Sequence, residues 1–188
     1  MSRLSRRVDE GREIYATCAE CHLESGAGLP DGTMPQIAGQ HRSVLIKQLT
    51  DIRLGIRKNH SMKPFAKQVD GPQAIADVAS YIETLPIPSN NGKGSGVELE
   101  RGEEIYRRDC ARCHGEMGEG DADAFYPKLQ GQHYRYLVRQ IIDFAGGRRD
   151  NAHADMIGAS AGLSADDVSI VADYVSRLSV DESVRSSE

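Results

Sequence analysis

The chain has 188 residues, 39% of them hydrophobic, 5% aromatic and none tryptophan, with a net charge of −5. That balance argues against a nucleic-acid partner. No apolar run approaches the roughly 20 residues that span a bilayer, so membrane contact is expected only through partners or through an anchor that has been removed. The charge is uneven: residues 1–88 hold 11 basic and 10 acidic side chains, the remainder 12 and 18. Such asymmetry can orient a partner at long range or simply keep a surface solvated.

The first segment, "MSRLSRRVDE", is charged and lacks the apolar core of a secretory signal. "GREIY" (11–15) then leads into "CAECH" (18–22). Three chemistries use closely spaced cysteines. A zinc site grips one tetrahedral ion with thiolate pairs, and a thioredoxin-like site places CxxC at a helix start. A c-type haem uses CxxCH, two thioethers to the porphyrin followed at once by an iron-ligating histidine. Downstream come Pro35, "GQH" (39–41) and a predicted middle helix through Val44, Leu45, Leu49 and Ile52. Then follow Gly55, Arg57, Asn59 and Met62. A last helix is predicted from Ile75, Val78, Ala79, Ile82 and Leu85, spaced i, i+3, i+4, i+7.

"PIPSNNGKGSG" (86–96) breaks the helix and reads as a linker. Beyond it the pattern recurs about 92 residues on. "GEEIY" (102–106) precedes "CARCH" (110–114); Pro127 follows, and "GQH" returns at 131–133. A middle helix is predicted through Leu137, Val138, Ile141 and Ile142, and then come Gly147, Arg149, Asn151 and Met156. Ser164 with Asp166 and Asp167 suits a helix start, and Val168, Val171, Ala172, Val175 and Leu178 repeat the apolar spacing. The organisation expected is a first domain over 1–88, a linker over 89–98 and a second domain over 99–188. Each domain is all-α, a bundle of three or four helices around its cofactor. The polar tail from Ser179 is expected to be loose.

Two CxxCH motifs, each with its own downstream context, point to two covalently bound haem c groups, held by Cys18, Cys21 and His22 and by Cys110, Cys113 and His114. A ligand for the opposite face of each iron should appear in both halves. Of five methionines only Met62 and Met156 are twinned, each about 40 residues past its histidine. They serve as ligands, or else as core gap-fillers. His41 and His133 are also twins, but each starts a middle helix, a rim position suited to a cap or a propionate contact. His60 and His153 are out of register. Bis-histidine ligation stays open as the rival. Around the haem, the backbone carbonyls at Pro35 and Pro127 are candidate acceptors for the ligating histidines. The twinned cations Lys47 and Arg139, and Arg57 and Arg149, are candidate propionate partners or ordinary surface charge.

The chain resembles the tandem dihaem class I c-type cytochromes, the cytochrome c4 family. The likeness rests on "CAECH" and "CARCH", on "MPQIAGQHRSVLIKQLTDIRLG" and "YPKLQGQHYRYLVRQIIDFAGG", and on "MKPFA" and "MIGASAGLSADDVSIVADYVSRL", from about Gly11 to Leu178. It implies two cytochrome folds related by a pseudo-two-fold axis, with their haem edges close. It also implies ligation by His22 with Met62 and by His114 with Met156. The function implied is a periplasmic one-electron carrier between a donor dehydrogenase or cytochrome complex and an acceptor oxidase or reductase. The rival is an electron-relay subunit of a larger dehydrogenase or oxidase. An enzyme such as a peroxidase or sulfur-compound oxidase would need an open iron position or a spare thiolate. Covalent haem attachment takes place outside the bacterial cytoplasm, so an export signal is expected to have been removed.

Overall fold

A computed structural model describes residues 3–178. The expected loose tail from Ser179 lies outside the described residues. In the first half, α1 (Arg3–His22), α2 (Arg42–Leu54), α3 (Lys63–Gln68) and α4 (Gly71–Thr84) follow one another. In the second come α5 (Leu99–Asp109), α6 (Ala111–His114), α7 (Tyr134–Ala145), α8 (Ala154–Ala161) and α9 (Ala165–Ser176). Among the described residues the only strand-like pairing is an isolated bridge between Asp121 and Tyr126. No helix among them is long and apolar enough to cross a membrane.

Each half has its own core. Tyr15, Leu45, Val78, Ala79 and Ile82 are buried together where α1 and α2 meet α4. Ile105, Tyr106, Leu137, Val171, Ala172 and Val175 are their counterparts where α5 and α7 meet α9. The predicted last helices are α4 and α9, and their apolar stripe is what the core buries. α1 crosses α4 at Gly11, and α5 crosses α9 at Gly102. A Cβ on either glycine would run into the backbone carbonyl of Asp77 or Ile170, so only glycine lets the helices approach so closely. Ser164 caps α9 through a capping box with Asp167. Two elements were not anticipated. The short helices α3 and α8 fill the stretch between each middle helix and the last one, and carry Met62 at the start of α3 and Met156 within α8.

The halves are joined by reciprocal contacts that define a pseudo-two-fold axis. Gln132 donates to Gln36 O (2.9 Å) and accepts from Gln36 N–H (3.1 Å). Gln40 does the same with Lys128, at 2.9 Å each way. Gln40 and Gln132 are twins in the repeat, and so are the positions they grip. His41 Nε2 meets Glu119 O at 2.8 Å, and His133 Nε2 meets Ala27 O at 2.7 Å, again a twinned pair.

The linker is not a free tether. Ile87 sits against both Gly39 and Gly131, the glycines of the two "GQH" stretches, each at positive φ. Asn91 donates to Gln132 O and Ser176 O. Gly92 N–H donates to His133 Nδ1 at 3.1 Å, and Gly94 and Gly96 both donate to the buried carboxylate of Asp173. The stretch read from composition as a spacer is therefore a strap clasped onto the second half. Its glycines offer bare N–H groups, and a buried carboxylate needs several such donors.

Candidate haem sites

Cys18 and Cys21 lie in the last turns of α1, with His22 its final residue. In the second half the chain bends at Cys110, between α5 and the single-turn α6 that carries Cys113 and His114. All four cysteines are unpaired thiols. His22 Nδ1–H donates to Pro35 O at 2.9 Å, and His114 Nδ1–H to Pro127 O at 2.9 Å. A carbonyl can only accept, so the proton is on Nδ1 and Nε2 is the nitrogen left to bind a metal. Both histidines are buried. Burial holds their imidazoles below the ordinary range, opposed by the proline carbonyls, so each is neutral and competent as a ligand.

The turn after each histidine is held twice. Gly28 N–H donates to His22 O (2.9 Å) and Gly120 N–H to His114 O (2.7 Å). Tyr15 Oη–H donates to Leu23 O at 2.7 Å, and Tyr106 Oη–H to Gly115 O at 2.6 Å. Each tyrosine also packs tilted against a tyrosine of the last helix, Tyr81 at 5.2 Å and Tyr174 at 5.6 Å between ring centres. These four tyrosines were not among the expected site residues. Their signal was present in the twinned "GREIY"/"GEEIY" and "YIETL"/"YVSRL" stretches.

The rival chemistries fit poorly. A thioredoxin-like dithiol needs a thiol of lowered pKa. Here burial pushes the Cys18 thiol up, and burial with the Asp109 carboxylate pushes Cys110 up to about 12. A zinc site needs three or four ligands converging, and no group of three or more His, Cys, Asp or Glu among the described residues is placed to hold a metal ion. A haem fits: it needs from each half two unpaired thiols to alkylate and one oriented imidazole. Ile142 on α7 and Ile157 on α8, next to Met156, are exposed apolar side chains.

Met62 is half-buried, its N–H donating to Asn59 Oδ1 at 3.0 Å. Met156 is half-buried in the first turn of α8. The histidine rivals have other work. His133 is buried at the interface rather than on a rim, and both its ring nitrogens are bonded within the protein. The Nε2 of His41 bonds to Glu119 O, and His60 and His153 are exposed. Lys47 is paired with Asp51 at 2.5 Å, and Arg139 donates to Gly32 O at 2.7 Å and stacks on Tyr136. Arg57 and Arg149 meet each other's half at the axis, donating to Gln48 and Gln140.

The cytochrome c family model matches residues 8–86 and 99–179. Cytochrome c4 of Azotobacter vinelandii is 32% identical, over 89% of this chain and 87% of the relative. A thiosulfate dehydrogenase electron acceptor of Stutzerimonas stutzeri is 31% identical, over 93% of this chain and 89% of its own length. The crystal structure of reduced recombinant cytochrome c4 from Pseudomonas stutzeri superposes with a TM-score of 0.80 at 30% identity, covering 91% of this chain and 98% of that one. With the doubled CxxCH motif, the pinned histidines and the two-fold pair of helical domains, the chain belongs to the cytochrome c4 family, electron-transfer proteins with two covalently bound haem c groups.

Proposed function

We propose that this protein carries electrons one at a time between redox partners in the periplasm. Its haems are attached through Cys18 and Cys21 and through Cys110 and Cys113. His22 and His114 ligate one face of each iron, and Met62 and Met156 the other. The observation that carries this reading is the matched pair of 2.9 Å bonds from His22 and His114 to Pro35 O and Pro127 O. They present Nε2 in a fixed orientation and make it a stronger donor to a metal.

Bound haem supplies a one-electron iron couple. The side chains keep that couple rigid and high in potential. The Tyr15 and Tyr106 hydroxyls hold the turns that follow the histidines. A methionine thioether favours ferrous iron relative to a second histidine. The four glutamine–backbone bonds across the axis keep the two halves at a fixed separation. No side chain at either site has to gain or lose a proton in the transfer.

The test is spectroscopic. Ferric haem bound to methionine shows a weak far-red charge-transfer band. Met62→Ala and Met156→Ala should each remove about half of it, with two haems per chain retained in a pyridine haemochrome count. If neither substitution changes the band, the methionine assignment is wrong. A second reading, acceptor for a thiosulfate-oxidising dehydrogenase, is favoured by the Stutzerimonas relative. Stopped-flow reduction of the oxidised protein by thiosulfate with a catalytic amount of such an enzyme distinguishes it. Rapid haem reduction supports the acceptor role, and none leaves the general carrier.

A further inference from the structure

The two short helices that carry the methionines are not held alike. Arg53, near the end of α2, reaches across to α3. Its Nη1 donates to the carbonyls of Ala66 (3.1 Å), Lys67 (3.0 Å) and Val69. Ala66 and Lys67 belong to the last turn of α3, whose carbonyls have no partner within the helix. At the other end Asn59 Oδ1 accepts from Met62 N–H at 3.0 Å, and Pro64 sits in the first turn, where its fixed φ suits a helix start. α3 is thus tied to α2 at its end and braced at its beginning.

α8 has the opposite character. The repeat puts Ala145 in the place of Arg53, and a methyl group can donate nothing. Asn151, the twin of Asn59, turns away to Gln48 Oε1 (3.2 Å) and Asp51 Oδ2 (2.8 Å). α8 is capped instead by the exposed His153, which accepts from Asp155 N–H at 3.3 Å and meets the Tyr126 ring edge-on at 6.2 Å. Ser160 Oγ–H donates to Met156 O at 2.7 Å, a bond inside the helix and not to a neighbour. The anchorage of α8 is apolar, through α7 and through Leu163 just past its end. Gly158 lies within the helix, and a Cβ there would meet nothing within 4 Å. Packing does not require that glycine, and it loosens the backbone relative to alanine.

A methionine leaves an iron only when the segment carrying it opens, and local opening is rarer where the segment is tied down. We infer that Arg53 is a positioning residue for Met62 whose place in the second half is taken by Ala145, so that Met156 yields to small neutral nitrogen ligands such as imidazole while Met62 keeps its iron. This rests on the ligation proposed above. In the exchange the Met156 thioether leaves with its electron pair and an imidazole nitrogen supplies another, so no electron or proton is transferred. A ligand that waits on opening binds in proportion to the open fraction. Three hydrogen bonds from a cation to α3 make that fraction at least about tenfold smaller in the first half. The second half is therefore the one that admits a small ligand.

The experiment is an imidazole titration of the oxidised holoprotein, read by loss of the far-red band, with haem content recorded alongside. The parent should lose half of the band at an imidazole concentration at least about tenfold below that which removes the rest. Met62→Ala should keep only the early loss, and Met156→Ala only the late one. Arg53→Ala should lower the concentration for the late loss at least about threefold, the Asn59 and Pro64 braces staying in place, and leave the early loss within about twofold. Gly158→Ala changes a position about 200° round the helix from Met156; it should raise the concentration for the early loss about fourfold and leave the late loss where it was. A single phase overturns the inference, as does an early loss that survives in Met156→Ala or a late loss that Arg53→Ala moves by less than about twofold. Should Arg53→Ala fail to fold, Gly158→Ala decides, and an unmoved early loss overturns the inference. A parent without the far-red band counts instead against the methionine ligation itself.

Discussion

Replacing Asp173 with alanine tests the strap directly. Its carboxylate is buried in α9 and accepts from Gly94 N–H (3.1 Å), Gly96 N–H (2.6 Å) and Arg177 Nε–H (3.0 Å). Arg177 in turn donates to Gly94 O at 3.0 Å. Hydrogen bonds to a charged group contribute about 1.5–3 kcal/mol each. Water reaches the strap glycines and the Arg177 side chain, which is 33% exposed against 4% for Asp173, so the loss lies toward the low end for three bonds. That gives about 4.5 kcal/mol, within the roughly 3–5 kcal/mol found for breaking a buried ion pair. Hydrogen exchange on the holoprotein, read at the Gly94 and Gly96 amides, should show protection reduced at least about a hundredfold, since 1.4 kcal/mol is a factor of ten. Asp173→Asn, which keeps one acceptor and the shape, should lose about half as much free energy. The corresponding residue of the first half is Ser80, which holds Arg42 Nε–H at 2.8 Å; Ser80→Ala should cost no more than about 1.5 kcal/mol. Strap amides that stay protected within about threefold of the parent in Asp173→Ala would refute the clasp, because a flexible tether predicts that result.

Gln132→Ala removes both bonds to the Gln36 backbone and should destabilise the interface by about 1–3 kcal/mol, seen as faster exchange of the Gln36 amide while the cores of the two halves stay protected. His133 accepts from Gly92 and donates to Ala27 O, so it must be neutral. Burial lowers it below its ordinary 6.5 despite the Ala27 carbonyl and Asp31. Its contribution is therefore fully present above pH 6.5 and is lost as pH falls below that value toward the lowered pKa. Denaturant midpoints should decline through that window, and His133→Asn should flatten the decline. Tyr106→Phe deletes the bond to Gly115 O and should cost about 1 kcal/mol, with the far-red band kept, because the iron ligands are untouched.

Legibility in the chain followed the range of the interaction. The CxxCH motifs, the apolar spacing of α4 and α9 and the Ser164 cap are written within a few residues, so the sequence alone determined two haem-binding helical domains and their repeat. Even the proline acceptors, 13 residues from their histidines, were legible because the repeat marked both copies. The short helices α3 and α8, with 6 and 8 residues, are too brief for a periodicity to register. Twinning marked Gln40, His41, Gln132 and His133 as special but could not say which half each one serves. Their partners are backbone groups 78 to 106 residues away, and a carbonyl leaves no signature in residue identity. The docking of the strap onto Asp173 and the meeting of Arg57 with Arg149 were settled only by tertiary structure. A buried carboxylate and a shared glutamine oxygen acquire their roles only when the folded chain brings distant donors to them.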